Sequence, residues 1–522
     1  MRLVLTSHPL IAVWALAVVL VACAPPAPAW ASRDQLSVMM DDDRLLYSTD
    51  VDRTSALDEM RALGVDAVRL TVKWEVLAPV RHPRGFDGRD PDDYHQQILD
   101  RYDRAVRGAI ARGMVPYLNV TWPGPSWGHR RASSARLRAL GTYRPDRGEF
   151  GRFVEMLGRR YSGSWPDANE GGAVLPRVDV WSIGNEPNQG GWLTPQWRRS
   201  RGRTVPASPQ LYRALYTTSH ASLRRTGHGG DLVMLGELAP LGRDRRNSTA
   251  PIRPIEFLRE VFCLDSRYRP YRGADARARG CSTRTMARIA TSGLAYHPYT
   301  REHGPSWTPR NREEATTGSI SRLTRALDRI ASRTGKLDRG LPVMLTEFGY
   351  ETSPPDPHVG VSLGRQAAWI NQATYIAWRN PRVRTVAQFL LTDSPPRRSE
   401  RAGSRAFWAT YQSGLLDSRG RRKPAWAAYA LPAHVTRTAR GIRIWAQLRF
   451  RPNGVPVRAE VQFRRRDSRS WRTVMELRSN SDKGFVAAST KSPGVGSIRV
   501  VWRNPEGTVR VSSRAVAVPT SQ

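Results

Sequence analysis

Lysine and cysteine are scarce in this chain. Only five lysines (Lys73, Lys336, Lys423, Lys483, Lys491) stand among its 82 Lys+Arg residues, and three cysteines occur in 522 positions. So few cysteines exclude a disulfide-rich scaffold or a protein of several zinc sites. The ten histidines have no zinc spacing, and His-Glu-X-X-His is missing. No metal and no organic cofactor is expected. Acidic residues are also few, 46 Asp+Glu, which leaves a formal net charge of +36. The arginines that carry this charge are scattered, and no zinc-finger, homeodomain or RNP-type motif accompanies them, so specific nucleic-acid recognition is not expected. Two readings of the charge stay open: an arginine-biased surface, or attraction to an anionic cell-surface polymer. One long apolar run exists, at the N-terminus, which excludes a multi-span membrane protein and leaves no transmembrane span expected in the mature chain. Hydrophobic residues, at 40%, suffice for a large core and exclude a disordered tail protein. The length calls for two domains or an enlarged barrel.

Met1-Arg2, an apolar stretch over residues 10–22 and the small-residue site Ala29-Trp30-Ala31 read as a secretory signal over residues 1–31. Leu20-Val21-Ala22-Cys23 reads alternatively as a lipobox, with Cys23 lipidated. Either way the expectation is an extracellular or cell-surface protein. Export leaves Cys263 and Cys281 to pair across a polar, arginine-rich segment. Closing a loop of that size stabilises by about 3 kcal/mol in the chain-entropy picture.

From residue 32 to 432 one pattern recurs: amphipathic helix, Gly or Pro, short apolar strand, polar loop. Leu57, Met60 and Leu63 recur at helical spacing before Gly64, and residues 65–72 follow as a strand. Strands are likewise predicted at 36–40, 115–120, 178–183, 232–235, 294–296, 342–346 and 385–391. Eight strands alternating with helices predict a (β/α)8 barrel, an α/β fold. Segments 123–143, 192–209 and 243–285 read as loop insertions. Residues 433–522 change texture. Ile442, Ile444, Ala446, Leu448 and Phe450 alternate with polar positions, as do Val457, Ala459, Val461 and Phe463, and turn residues such as Pro452-Asn453-Gly454 and Pro505-Glu506-Gly507 separate the runs. This pattern predicts an Ig-like β-sandwich, with Trp445 packing against the barrel.

Two strands end on chemistry. Val180-Trp181-Ser182-Ile183 runs into Gly184-Asn185-Glu186-Pro187, and Val343-Met344-Leu345 runs into Thr346-Glu347-Phe348-Gly349. A glutamate directly after a buried strand is costly unless paired or used. These are the fourth and seventh strands, and in a closed barrel both reach the C-terminal mouth, where active sites of this fold lie.

These motifs resemble those of the retaining glycoside hydrolases of clan A, the four-seven barrels, and most closely family 5 and its relatives. The resemblance implies that Glu186 is the acid/base, Glu347 the nucleophile, and Asn185 a ligand of the sugar 2-hydroxyl. His297 and Tyr299, in Tyr296-His297-Pro298-Tyr299, resemble the family's His-X-Tyr pair. Arg69, in Val68-Arg69-Leu70, matches an arginine beside the nucleophile. The segment from Gly414 to Asp417, followed by Lys423-Pro424-Ala425-Trp426, is similar to the lead into the last barrel helix. The chain departs from the family at strand three, where Asn119 stands in place of a common histidine. It departs again at the end of strand eight, where Phe389-Leu390-Leu391 replaces a common tryptophan.

The expected activity is therefore that of a retaining β-glycosidase acting on a β-linked glycan or glycoconjugate. Its two carboxyl groups would stand about 5–5.5 Å apart. Trp74, Trp122, Trp127 and Trp192 follow strands two to four and are candidates to stack on sugar, Trp74 and Trp122 foremost. Asp41, Glu75, Glu237 and Asp393 read as supports or surface residues. The alternative is a non-catalytic carbohydrate-binding or cell-wall protein on the same barrel.

Overall fold

The computed structural model describes residues 32, 34–282, 287–450, 457–479, 481–504 and 508–519. The segment expected to be a signal, with Cys23, and the expected turns at 452–454 and 505–507 lie outside these residues.

Eight parallel strands close into a barrel: β1 (Leu36–Met40), β2 (Ala67–Lys73), β3 (Val115–Thr121), β4 (Val180–Ile183), β5 (Leu232–Leu238), β6 (Gly293–Tyr296), β7 (Val343–Leu345) and β8 (Val383–Phe389). β1 closes the ring by pairing with both β2 and β8. Each strand is followed by a principal helix: α1 (Asp50–Ala62), α2 (Gln96–Ala111), α3 (Arg147–Arg160), α4 (Ser208–Arg225), α5 (Pro254–Val261), α6 (Ile320–Thr334), α7 (Leu363–Trp378) and α8 (Pro424–Ala430). Sequence signals set their limits. Thr49 caps α1 by accepting from the Asp52 amide, and the helix buries Ala56, Leu57 and Met60 along one stripe. Asp146 caps α3 through the Gly148 and Glu149 amides.

Strand parity divides the barrel in two. Val68, Leu70 and Val72 face the helices, while Ala67, Arg69 and Thr71 face the lumen. One side chain from every strand builds an apolar layer in the lumen: Val38, Ala67, Tyr117, Val180, Met234, Ala295, Met344 and Ala387. The next layer toward the C-terminal rim turns polar and contains Arg69, Asn119, Ser182, His297 and Thr346, all buried. The lumen is thus a packed plug carrying a polar floor under the mouth.

Long βα loops carry the extra length. Trp197–Ser200 and Arg203–Pro206 pair as a hairpin, and Cys263 and Cys281 form a disulfide, as their pairing in an oxidising compartment predicts. Among the described residues no helix is long and apolar enough to cross a membrane.

After α8 the chain forms antiparallel strands: β9 (Ala433–Thr438), β10 (Gly441–Gln447), β11 (Val457–Arg465), β12 (Arg472–Ser479), β13 (Phe485–Thr490), β14 (Gly496–Arg503), β15 (Arg510–Ser512) and β16 (Val516–Ala517). Sheet β9-β10-β13 faces sheet β12-β11-β14-β15, with β16 also on β14. Ile442, Ile444 and Ala446 from one sheet share a core with Val461, Phe463, Ile498 and Val500 from the other, which makes a sandwich. Trp445 points the other way. It is fully buried against Tyr375 and Trp378 of α7, at ring distances of 5.6 and 5.7 Å.

Candidate active site

The strand ends place Glu186 and Glu347 on opposite edges of one imidazole. Gly184 adopts φ +85°, and a Cβ there would meet the Trp122 ring at 2.6 Å, so only glycine makes this turn. Glu186 follows with φ 39°, and its amide donates to the Glu237 carbonyl at 2.8 Å, tying the end of β4 to β5. Its Oε1 lies 3.0 Å from Nδ1 of His297. Across the ring, Nε2 of His297 lies 3.7 Å from Oε2 of Glu347. The Tyr299 hydroxyl donates to Oε1 of Glu347 at 2.9 Å, and Nη1 of Arg69 stands 3.7 Å from Oε2. Both glutamates keep an open side, 21% and 15% exposed. Burial pushes the Glu347 carboxyl above the usual range, although His297 and Arg69 pull it down.

Asn185 is buried beside them. Its Oδ1 accepts from Nη2 of Arg69 at 3.0 Å. Arginine can only donate, so this contact fixes the amide orientation and turns the NH2 group away from Arg69. Asn188 braces the loop from below, donating to the carbonyls of Ala239 and Ile252 and accepting from the Ala239 amide. On β3, Asn119 donates to Ser182 and to the Gly184 carbonyl, and its buried Oδ1 has no partner.

Six of the predicted residues, Glu186, Glu347, Asn185, Arg69, His297 and Tyr299, thus meet in one place. Trp74 and Trp122 do not line it: both rings are completely buried. Trp74 packs on Trp127, Phe150 and Phe153, and Trp122 lies between Phe150 and Tyr212. An aromatic residue that ends an inward-curling strand fills the space above the strand–helix layer, so neither ring offers a sugar a face. Trp127 and Trp192 are half-buried.

One residue went unrecognised in the sequence, Tyr411, and another, Glu237, read there only as a support or surface residue. Tyr411 is 55% exposed and meets Phe389 edge to face at 5.1 Å. Burial, then the charges of Glu347 and Glu186, raise the pKa of its phenol. Its loop has no periodicity to flag it. Glu237 lies beneath the pair with a fully buried side chain. Parity assigns it to the helix side with Val233 and Leu235. A bulge between Gly236 and Leu238 inserts it as an extra residue and turns it into the lumen. Gly236, at φ +112° with the Ala295 carbonyl 2.5 Å from where a Cβ would be, was the available signal.

No protein-family model matches the chain, and no curated protein matches it. Solved structures do. It is similar to a glucosidase from Croceicoccus marinus at 13% identity and TM-score 0.48, covering 88% of this chain and 94% of that one. It is similar to GH5_18 from Streptomyces cattleya at 16% identity and TM-score 0.44, covering 76% and 79%. A β-glycosidase from Thermosphaera aggregans follows at 14% identity and TM-score 0.42, covering 76% and 95%. Overlaps this loose leave the functional reading to the side chains at the rim.

Proposed function

We propose that the chain is an exported retaining β-glycosidase that hydrolyses a β-linked glycan or glycoconjugate by double displacement. One observation carries the reading: Glu186 and Glu347, delivered by β4 and β7, flank a single imidazole at one mouth, each with part of its side chain exposed.

In the first step Glu347 attacks the anomeric carbon as the glycosidic bond breaks, and Glu186 gives its proton to the leaving oxygen. In the second, water attacks the anomeric carbon, yields a proton to Glu186 and releases Glu347. Tyr299 and Arg69 orient the nucleophile. Asn185, its amide held by Arg69, presents N–H to the sugar 2-hydroxyl. Tyr411 supplies the exposed ring for a sugar face. Because burial raises the Glu347 carboxyl and the nucleophile works ionised, the acid limb of kcat/KM lies above an ordinary glutamate's 4.5.

The disulfide favours an oxidising compartment, either free or anchored through Cys23. An anionic cell-surface polymer as a further partner is supported by the +36 charge and by Arg464 and Arg499, which flank Trp471 on the sandwich at 4.8 and 4.4 Å.

The test is hydrolysis of a panel of aryl β-glycosides by wild type and Glu347→Ala, with the first-formed anomer read by proton NMR. The expected result is a β product from wild type and none from the variant. An α product overturns the retaining mechanism. Equal inertness of both proteins, on polysaccharides as well, favours the carbohydrate-binding alternative.

A further inference from the structure

Of the three glutamates in the site, Glu237 alone has no opening to solvent. Five donors converge on it. Oε1 takes the Tyr117 hydroxyl and Oγ of Ser182, the latter at 2.6 Å. Oε2 takes Nη2 of Arg69 at 2.9 Å, Nε2 of His297 at 2.6 Å and Oγ1 of Thr346 at 3.0 Å. A proton on Oε2 would aim at Arg69, which has no acceptor. Oε2 is therefore an acceptor only, and Nε2 of His297 must carry hydrogen. The other ring nitrogen faces a second carboxyl, that of Glu186.

We propose that Glu237 is a positioning residue, a permanent buried counter-ion that holds Arg69 and His297 side by side as cations and fixes the Nδ1–H of His297 on Glu186.

The electrostatics agree. Burial alone would raise the Glu237 carboxyl, but Arg69, His297 and Ser182 hold it far below the usual range. Burial alone would lower His297, yet Glu347, Glu186 and Glu237 bring it up to about 10. The remaining titratable groups facing this cluster are Tyr117 from β3, Tyr212 from α4, whose hydroxyl accepts from the Gly236 amide, Tyr299 beyond β6, and Asp42 beyond β1.

What the counter-ion does follows from the catalytic cycle, and this part rests on the glycosidase reading. Arg69 and His297 each stand 3.7 Å from Oε2 of Glu347. When Glu347 becomes an ester in the covalent intermediate, its charge disappears. Two adjacent cations would then repel each other, and Glu186 would lose its anchor just when it must accept a proton from water. Glu237, out of reach of the sugar, keeps its charge throughout.

Two readouts test this. The first needs no substrate: ring-nitrogen NMR of the full chain, with His297 assigned through His297→Asn. In wild type His297 should stay doubly protonated at pH 8, and in Glu237→Gln it should be neutral there. A wild-type His297 that loses its proton near 6.5, or a variant that titrates as wild type does, overturns the proposal. Should Glu237→Gln not fold, the wild-type titration alone decides. The second is kinetic. In Glu237→Gln kcat should fall on the order of 10²-fold with KM little changed, and acquire a pH dependence whose midpoint matches the His297 titration. A loss uniform across pH points to a structural role and overturns it. If wild type hydrolyses no glycoside, the enzyme reading fails while the NMR result still stands or falls by itself.

Discussion

Two buried charge clusters sit at the same rim of this barrel, and they differ in what they leave unfinished. In the first, Lys423 donates to both oxygens of Asp393 at 2.9 and 3.1 Å, to Thr352 at 3.0 Å and to the Gln412 carbonyl at 3.1 Å, while Asp393 also accepts from the Gly414 amide. Burial works against both charges, raising the carboxyl and lowering the ammonium, and the close geometry answers it. Every donor of the ammonium is spent, and both residues are almost fully hidden. In the second cluster Glu186 and Glu347 are each tied on one side and open on the other. A satisfied buried pair is a brace. A carboxylate held on one side only is poised for a reactant.

The sharpest way to break the contrast is Glu347→Gln. The expected loss in kcat is at least about 10⁴-fold on the logic of a covalent nucleophile, with a melting temperature unchanged or higher because a carboxylate whose charge burial disfavours is gone. Initial rates and a thermal melt on the same preparation decide it, and residual activity within tenfold would remove Glu347 from the chemistry. Next, Glu186→Gln should cost about 10²- to 10⁴-fold on glycosides with poor leaving groups and far less on nitrophenyl ones, which need no proton. A loss independent of the leaving group contradicts the acid role. Lys423→Met inverts the pattern. It strands Asp393 without a partner and should cost about 3–5 kcal/mol of stability in a denaturant titration, while rate per folded molecule holds. The smallest effect concerns pH. The folded-state value for His297, about 10, exceeds the ordinary 6.5, so its contribution is complete below 6.5 and lost as pH rises toward 10. The slope is at most about 1.4 kcal/mol per pH unit. Melts of wild type and His297→Asn at pH 6.5, 8 and 9.5 should diverge at the low end and converge at the high end.

The two clusters were unequally legible in the sequence. The eight strands were readable because buried parallel strands are short apolar runs between helices of clear period, as the 57, 60, 63 spacing shows. Glu186 and Glu347 were readable because each directly follows such a run. Glu237 was readable only as a support or surface residue, because alternation of side chains holds only while the pleat is regular and the bulge at Gly236 turns it into the lumen. Asp393 and Lys423 lie 30 residues apart across an aperiodic loop, where no spacing rule connects them. The tryptophans misled for a plainer reason: the ring that stacks on sugar and the ring that fills a core have the same composition and the same place after a strand. Only burial tells them apart, and Trp74 and Trp122 are fully buried.

The seam between α7 and the sandwich has a practical corollary. Tyr375 and Trp378 on one side and Trp445 and Phe485 on the other form one apolar cluster. Lys483 reaches Asp66 at 2.8 Å, and Arg514 reaches Asn371 at 3.0 Å. Trimming the chain after its final barrel helix would bare a sticky aromatic face on α7. The C-terminal strands therefore act as a built-in solubility cover, and a shortened barrel is a poor starting point for expression.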